Sequence, residues 1–283
     1  AKPYTGRVGA LANILDFLRD EREKYVVITD TNIVANIDFS DMIRFHIESG
    51  ADVTIAYNEQ ELPESLVKNQ SNDLGYYYTF GLEKGRIRKI YVNAKDTGVQ
   101  NFSMNMFVVE RELLIDLINT AFVRGQEYFE RGVLLPQLNK MNVQAYKYEG
   151  YIARICDMKS YFDENMKLLD DYNLDALFSG GPIYTKIRDD NPTRYIEGAK
   201  VQNVMVADGC VIEGEVENSI LFRGVKVAKG AKVKNSILMQ DAVVEAGAQV
   251  EYLVMDKNVT ITAGKDMKGT STYPVYIGKF QTV

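Results

Sequence analysis

The sequence predicts an α/β domain with a mostly parallel sheet, followed by a parallel β-helix of hexapeptide type. Residues 1 to about 172 alternate strand-like and helix-like patterns, as βαβ folding requires. Helical patterning stops after Ser179-Gly180-Gly181-Pro182. Beyond it, apolar residues recur every 17 positions: Val216, Val233 and Val250 fall in register, as do Ile220, Ile237 and Val254. Leu221, Leu238 and Met255 follow the same spacing, and so do Val227, Val244 and Ile261. Gly230, Gly247 and Gly264 keep it too, and Asn218-Ser219 returns as Asn235-Ser236. A fixed short period marks a solenoid whose coils bury their inner faces by stacking. An antiparallel sandwich would show these registers only by coincidence. The expected divisions are an α/β domain over 1–175, a linker over 176–195 and a β-helix over 196–283.

Each element has its own signal. Asn13–Lys24 has helical spacing and leads into a strand at Tyr25–Thr29. Ser40 is an N-cap type before a helix that stops at Gly50, and Val53–Tyr57 is a strand again. Tyr76–Phe80 and Ile87–Val92 read as a hairpin around Glu83-Lys84-Gly85-Arg86. Phe102–Val109 is a strand, ERELLIDLINTAFVR is helical, and Tyr161–Tyr172 closes the half with a helix.

Composition narrows the function. Of 283 residues, 46% are hydrophobic and 25% charged, as in soluble globular proteins. No apolar run approaches the roughly 20 residues of a membrane span, no signal peptide opens the chain, and a cytoplasmic protein is expected. Cys156 and Cys210 lack metal-ligand spacing and fit a reducing compartment. A net charge of −6 without basic runs argues against nucleic acid or a membrane surface as partner.

The segment YVVITDTNIVANIDFS raises the functional question. A buried strand runs into Thr29-Asp30-Thr31-Asn32 at its C-terminal end, where open α/β sheets bind ligands. PYTGRVGA, this segment, LGYYYTF, SMNMFVV, LLPQLNK and YIARICDMKSYFDEN follow one another in order, and VIEGEVENSILFRGVKV supplies a β-helix coil. Together they resemble the ADP-glucose pyrophosphorylase (glucose-1-phosphate adenylyltransferase) family over nearly the whole chain, and most of all its GlgD-type subunit. The resemblance implies a Rossmann-like nucleotidyltransferase sheet and a left-handed β-helix. Because the family's glycine-rich phosphate loop has no counterpart, an N-terminal portion of the sheet is expected to be missing.

That family uses Mg²⁺ to join ATP and glucose-1-phosphate, and phosphoryl-type transfer asks chiefly for positioning and charge neutralisation. Matched to its motifs, the two metal-binding Asp positions fall on Asn32 and Arg154. An amide offers oxygen without charge, and a guanidinium repels the cation. Two unit charges about 4 Å apart interact by roughly 4 kcal/mol at an effective dielectric of 20, and a divalent ion doubles this. No metal site is therefore expected. The lysine that contacts the sugar phosphate falls on Ala94, with Lys95 one residue away, and an acidic segment appears as Phe129-Glu130-Arg131-Gly132-Val133. By the same resemblance Tyr4 and Gly6 lie on the nucleotide side, and Lys95 and Arg154 are candidate sugar-phosphate contacts.

Blander readings stand beside these. Asp30 shares a strand face with Asn32 but sits roughly 6.6 Å back, so it is structural unless a bulge brings it forward. Arg154 is either a phosphate contact or a salt-bridge partner. His46 reads as a half-buried helical side chain, and Tyr76-Tyr77-Tyr78 as strand packing or a sugar-pocket wall. The acidic pairs at Glu110–Glu112 and Asp163–Glu164 read as helix first turns. Arg188, Arg194 and Lys200 are candidates to meet an anionic effector. The reading that follows is a non-catalytic or weakly active regulatory subunit in glycogen synthesis, partnered by a catalytic GlgC-type subunit or by itself, as a tetramer. The alternatives are an active nucleotidylyltransferase with other metal ligands and an assembly protein with an inert pocket. A β-helix acyltransferase is disfavoured, because the β-helix contains no histidine.

Overall fold

A computed structural model describes residues 6–62, 66, 76–96, 98–185 and 188–283. The chain forms two compact units: residues 1–33 with 37–150, and residues 34–36 with 151–283.

The first unit is α/β. Helices α1 (Gly6–Ala12) and α2 (Leu15–Asp20) precede strand β1 (Tyr25–Ile28), and β2 (Ile33–Ala35) follows, its residues from Val34 on counting with the second unit. Then come α3 (Phe39–Glu48), β3 (Val53–Glu61), β4 (Tyr78–Glu83), β5 (Arg86–Val92), β6 (Val99–Glu110), α4 (Arg111–Val123) and β7 (Val143–Lys147). The six-stranded sheet has the order β1-β6-β3-β7-β5-β4. β1, β3 and β7 run in one direction, as a βαβ reading expects, and β3 and β7 are parallel neighbours. Their adjacency departs from a mostly parallel sheet: β6 lies antiparallel between β1 and β3, and β5 is antiparallel to β7. Central β3 has its first six residues buried, as a strand covered on both faces must.

Local chemistry explains the ends of elements. The β4–β5 turn holds Lys84 and Gly85 at φ 50° and 80°, the pair of positive angles that a two-residue hairpin favours. Asp38, not Ser40, caps α3, its side chain accepting from the Ser40 N–H. His46 is 3% exposed on α3, with Nδ1 2.8 Å from Thr54 Oγ1 and the ring edge-on to Tyr25. Burial lowers its pKa, and the nearby Asp52 and Glu110 only partly offset this. A folded-state pKa below the unfolded value means that the unfolded chain takes up the proton first as pH falls. Stability is therefore expected to decline as pH drops below about 6.5. His46→Gln should flatten that decline in urea titrations at pH 5 and pH 8.

The second unit begins at Tyr151. Strand β8 (Ile152–Arg154) pairs with β2, and helices α5 (Met158–Lys167) and α6 (Asp171–Phe178) follow. A reciprocal capping box of Asp157 and Ser160 starts α5 three residues ahead of its expected start. The β-helix then stacks β9 (Arg194–Tyr195), β11 (Val211–Ile212), β13 (Lys226–Val227), β16 (Val243–Val244) and β19 (Thr260–Ile261) on one wall. The other walls include β10 (Lys200–Val206), β12 (Glu215–Leu221), β14 (Lys232–Lys234), β15 (Ile237–Leu238), β17 (Gln249–Glu251) and β18 (Leu253–Met255), ending in β20 (Asp266–Lys268) and β21 (Val275–Ile277). All coil pairings are parallel, and Val216↔Val233↔Val250, Ile220↔Ile237↔Val254 and Val227↔Val244↔Ile261 stand directly over one another. The expected repeat is the observed register.

Adjacent repeat positions do different work. Leu221, Leu238 and Met255 fill the interior, whereas Ile220, Ile237 and Val254 form a separate cluster with Phe162 of α5. Neighbouring strand residues face opposite ways, so one apolar column is left outside and a helix covers it. This packing places α5 with the β-helix, and the two units divide at 150/151, upstream of the expected 175/176 boundary. Buried Ser219 and Ser236 link coils, each hydroxyl accepting from the next coil's backbone N–H at 3.1 Å.

Candidate functional site

The polar turn after β1 opens onto a cavity of 490 Å³ within the first unit. An ionic cluster from distant parts of the chain lies in its wall. Arg7 of α1 donates through Nη2 to Asp30 Oδ1 at 2.7 Å and through Nη1 to Glu130. Asn105 Nδ2 donates to Asp30 Oδ2 at 2.8 Å. Glu130 lies in a π-helical turn over Phe129–Leu134 and is 3% exposed. A buried carboxylate needs a counter-charge, and Arg7 supplies it, with its guanidinium carbon also 4.8 Å from the Phe107 ring centre. Burial pulls the Arg7 pKa down, but Glu130 and Asp30 outweigh it and hold the guanidinium above its ordinary value.

Asn105 reaches Asp30 because β6 bulges. Ile55 pairs with Phe107 but Tyr57 pairs with Ser103, so three β6 residues face Ala56 alone. Asn105 sits in this bulge at φ 53°, a conformation that Asn tolerates. Bulges beside sites commonly re-aim a side chain. Here the bulge turns a carboxamide toward the end of β1.

Aromatic side chains supply the rest of the wall. Tyr76 and Tyr128 meet edge to face at 4.6 Å, and Tyr78 lies beside them in the lining. Arg131 stacks 5.5 Å over the Tyr76 ring and donates to its hydroxyl at 3.2 Å. Burial drives the Tyr78 hydroxyl pKa up, so it stays neutral.

Gly6 lines the cavity at φ 74°, and a Cβ there would overlap the Glu127 carbonyl, which accepts from the Val8 N–H at 3.0 Å. Gly6→Ala is expected to cost about 1–3 kcal/mol in chemical denaturation. Tyr4, paired with it in the sequence reading, lies outside the described residues. Of the tyrosine run, Tyr76 and Tyr78 face the cavity, while Tyr77 packs on Phe102 and donates to the Ala94 carbonyl at 2.6 Å.

The remaining candidates separate. Asn32 is exposed in the turn after β1, and Lys95 is exposed between β5 and β6, away from the cavity lining. Arg154 belongs to the other unit, on β8, and is 8% exposed. Burial lowers its pKa to about 10, opposed by Cys156, so it remains a cation at neutral pH. Arg188 and Arg194 line a 290 Å³ cleft beside the first coils, with Arg223, Asp190 and Asp241. Arg188 Nη2 lies 3.2 Å from Asp190, and Lys200 is bound instead to Glu215 at 2.9 Å. Of the acidic residues expected in helix first turns, Glu112 lies in that of α4 and pairs with Arg111, whereas Asp163 and Glu164 fall midway along α5, which starts at Met158, and pair with Lys159 and Lys167.

These donors do not fit a divalent cation. Hard cations take oxygen ligands, chiefly carboxylates, whereas the two matched positions offer one amide and one buried guanidinium. Asp30 has both carboxylate oxygens engaged by Arg7 and Asn105.

Comparison with known proteins places this architecture. Residues 187–269 match the GlmU-like C-terminal hexapeptide family. Glycogen biosynthesis protein GlgD of Geobacillus stearothermophilus is 34% identical over 232 residues, covering 80% of this chain and 55% of its own length. GlgD of Bacillus subtilis (strain 168) is 29% identical over 220 residues, covering 77% and 52%. Glucose-1-phosphate adenylyltransferase of Bacillus cytotoxicus is 30% identical over 239 residues, covering 82% and 61%. The chain is homologous to GlgD proteins and glucose-1-phosphate adenylyltransferases. It spans between about half and three-fifths of the length of these relatives.

The motif reading anticipated this homology and missed the ionic cluster. Arg7 and Glu130 are 123 residues apart. The signal available was weak: Arg7 is a lone charge in the otherwise apolar GRVGALA helix, whereas Glu130 stands beside Arg131 and nothing local marks it as the partner.

Proposed function

We propose that this chain is a non-catalytic or weakly active regulatory subunit of ADP-glucose formation in glycogen synthesis, acting on a catalytic glucose-1-phosphate adenylyltransferase. The observation that carries the proposal is Arg154. At a position where the resemblance places a magnesium carboxylate, the chain holds a guanidinium that is 8% exposed and stays charged at neutral pH. Asn32, and Asp30 with each carboxylate oxygen already hydrogen-bonded, support the same reading. The homology to GlgD proteins favours it over the active-enzyme alternative. The cleft with Arg188, Arg194 and Arg223 is the place proposed for an anionic effector.

The test is to titrate the protein into a fixed amount of a catalytic homologue and follow ADP-glucose. A saturable change in rate, with co-elution of the two chains, is the expected result. No change at any ratio, with separate elution, contradicts it.

A further inference from the structure

We infer that the cavity at the end of β1 takes an uncharged, hydroxyl-rich ring, a free sugar, and rejects its phosphate ester. The inference rests on the regulatory reading above, because a working transferase would have to admit phosphates. Three observations carry it.

The first is charge. Among the described lining residues Arg7 is the cation, and both its terminal nitrogens are committed, one to Asp30 and one to Glu130. Its flat face is covered by Phe107. Within the described lining one positive charge therefore stands against two carboxylates, while Arg131, at the Tyr76 rim, is exposed and screened by water, so a phosphate entering beside Asp30 meets net repulsion. Opening the Arg7 fork to receive the phosphate would leave Glu130 buried without its partner, which is strongly unfavourable.

The second is the supply of neutral hydrogen-bonding groups. The Asp30 side chain is 31% exposed, and a carboxylate has about four lone-pair positions, of which the bonds from Arg7 and Asn105 use two. Those remaining accept from hydroxyl donors, which a sugar has and a phosphate ester's anionic oxygens lack. Asn105 is held beside it by the β6 bulge, and the Tyr78 hydroxyl is uncharged.

The third is shape. At 490 Å³ the cavity is within the roughly 300–1,000 Å³ of small-molecule pockets. Tyr76 and Tyr128 present apolar ring surface with polar tips, which suits the C–H face of a sugar ring rimmed by hydroxyls.

The test is calorimetric titration of the whole protein with D-glucose, maltose, glucose-1-phosphate, inorganic phosphate and adenosine. Glucose or maltose is expected to bind at least tenfold more tightly than glucose-1-phosphate, and inorganic phosphate should give no heat. Glu130→Gln removes one repelling carboxylate and should raise the ratio of glucose-1-phosphate to glucose affinity at least tenfold. Asp30→Asn, at the more exposed carboxylate, makes the same comparison if the buried substitution prevents folding. Tighter binding of glucose-1-phosphate to the unaltered protein, binding of adenosine alone, or no binding by either sugar would overturn the inference. Regulation of a catalytic partner is read separately, by rate and co-elution, so failure of this selectivity is distinguishable from failure of the regulatory reading.

Discussion

Arg7→Ala is expected to destabilise the first unit by about 3–5 kcal/mol, the cost of removing one partner from a buried ion pair. Glu130 is 3% exposed, and its guanidinium partner is also the bridge to Asp30. Truncation leaves a carboxylate with neither water nor counter-charge. Arg7→Lys keeps the charge but not the two-pronged geometry, so an intermediate loss is expected. Pairing Arg7→Met with Glu130→Met should recover most of the stability, because apolar replacement of a whole buried pair is often neutral or better. Urea denaturation of the four proteins gives the comparison. Equal losses for Arg7→Ala and the double variant would show that packing, not charge, sets the effect.

Leu238→Asp should have an effect of similar size in the second unit. Leu238 is fully buried in β15, between β12 and β18, within the interior column of the β-helix. Leu→Ala at such a site costs about 2–5 kcal/mol, and the Asp variant adds the penalty of an unpaired buried carboxylate. In a repeat array each coil depends on its neighbours, so loss should spread along the helix while the first unit stays folded. Hydrogen exchange separates the outcomes: protection should fall across residues 200–277 and persist in β3 and β6. Uniform loss over both units would show that they unfold together. Ile237→Asp, one residue away, should instead disturb the contact with Phe162.

How legible each feature was depends on sequence distance. The β-helix could be read because its partners are one coil apart, so Val216, Val233 and Val250 announce their own register. The β4–β5 hairpin could be read because Lys84-Gly85 is local turn chemistry. The adjacency of β6 could not be, since nothing in Phe102–Val109 says which strands flank it. Nor could the covering of Ile220, Ile237 and Val254 by Phe162, because an apolar column reads the same whether it faces inward or outward. The motif positions Asn32 and Arg154 could be read by matching short segments, but neither lies in the described cavity lining. The cluster of Arg7, Asp30, Asn105 and Glu130 depends on a bulge and on contacts 23 to 123 residues apart.

The most direct test is ADP-glucose formation by the protein alone, supplied with ATP, glucose-1-phosphate and saturating Mg²⁺, beside an equal amount of a catalytic homologue. The regulatory reading predicts a rate at least a thousandfold below the homologue. A rate within tenfold of it would contradict that reading, because the magnesium would then have found ligands despite Asn32 and Arg154.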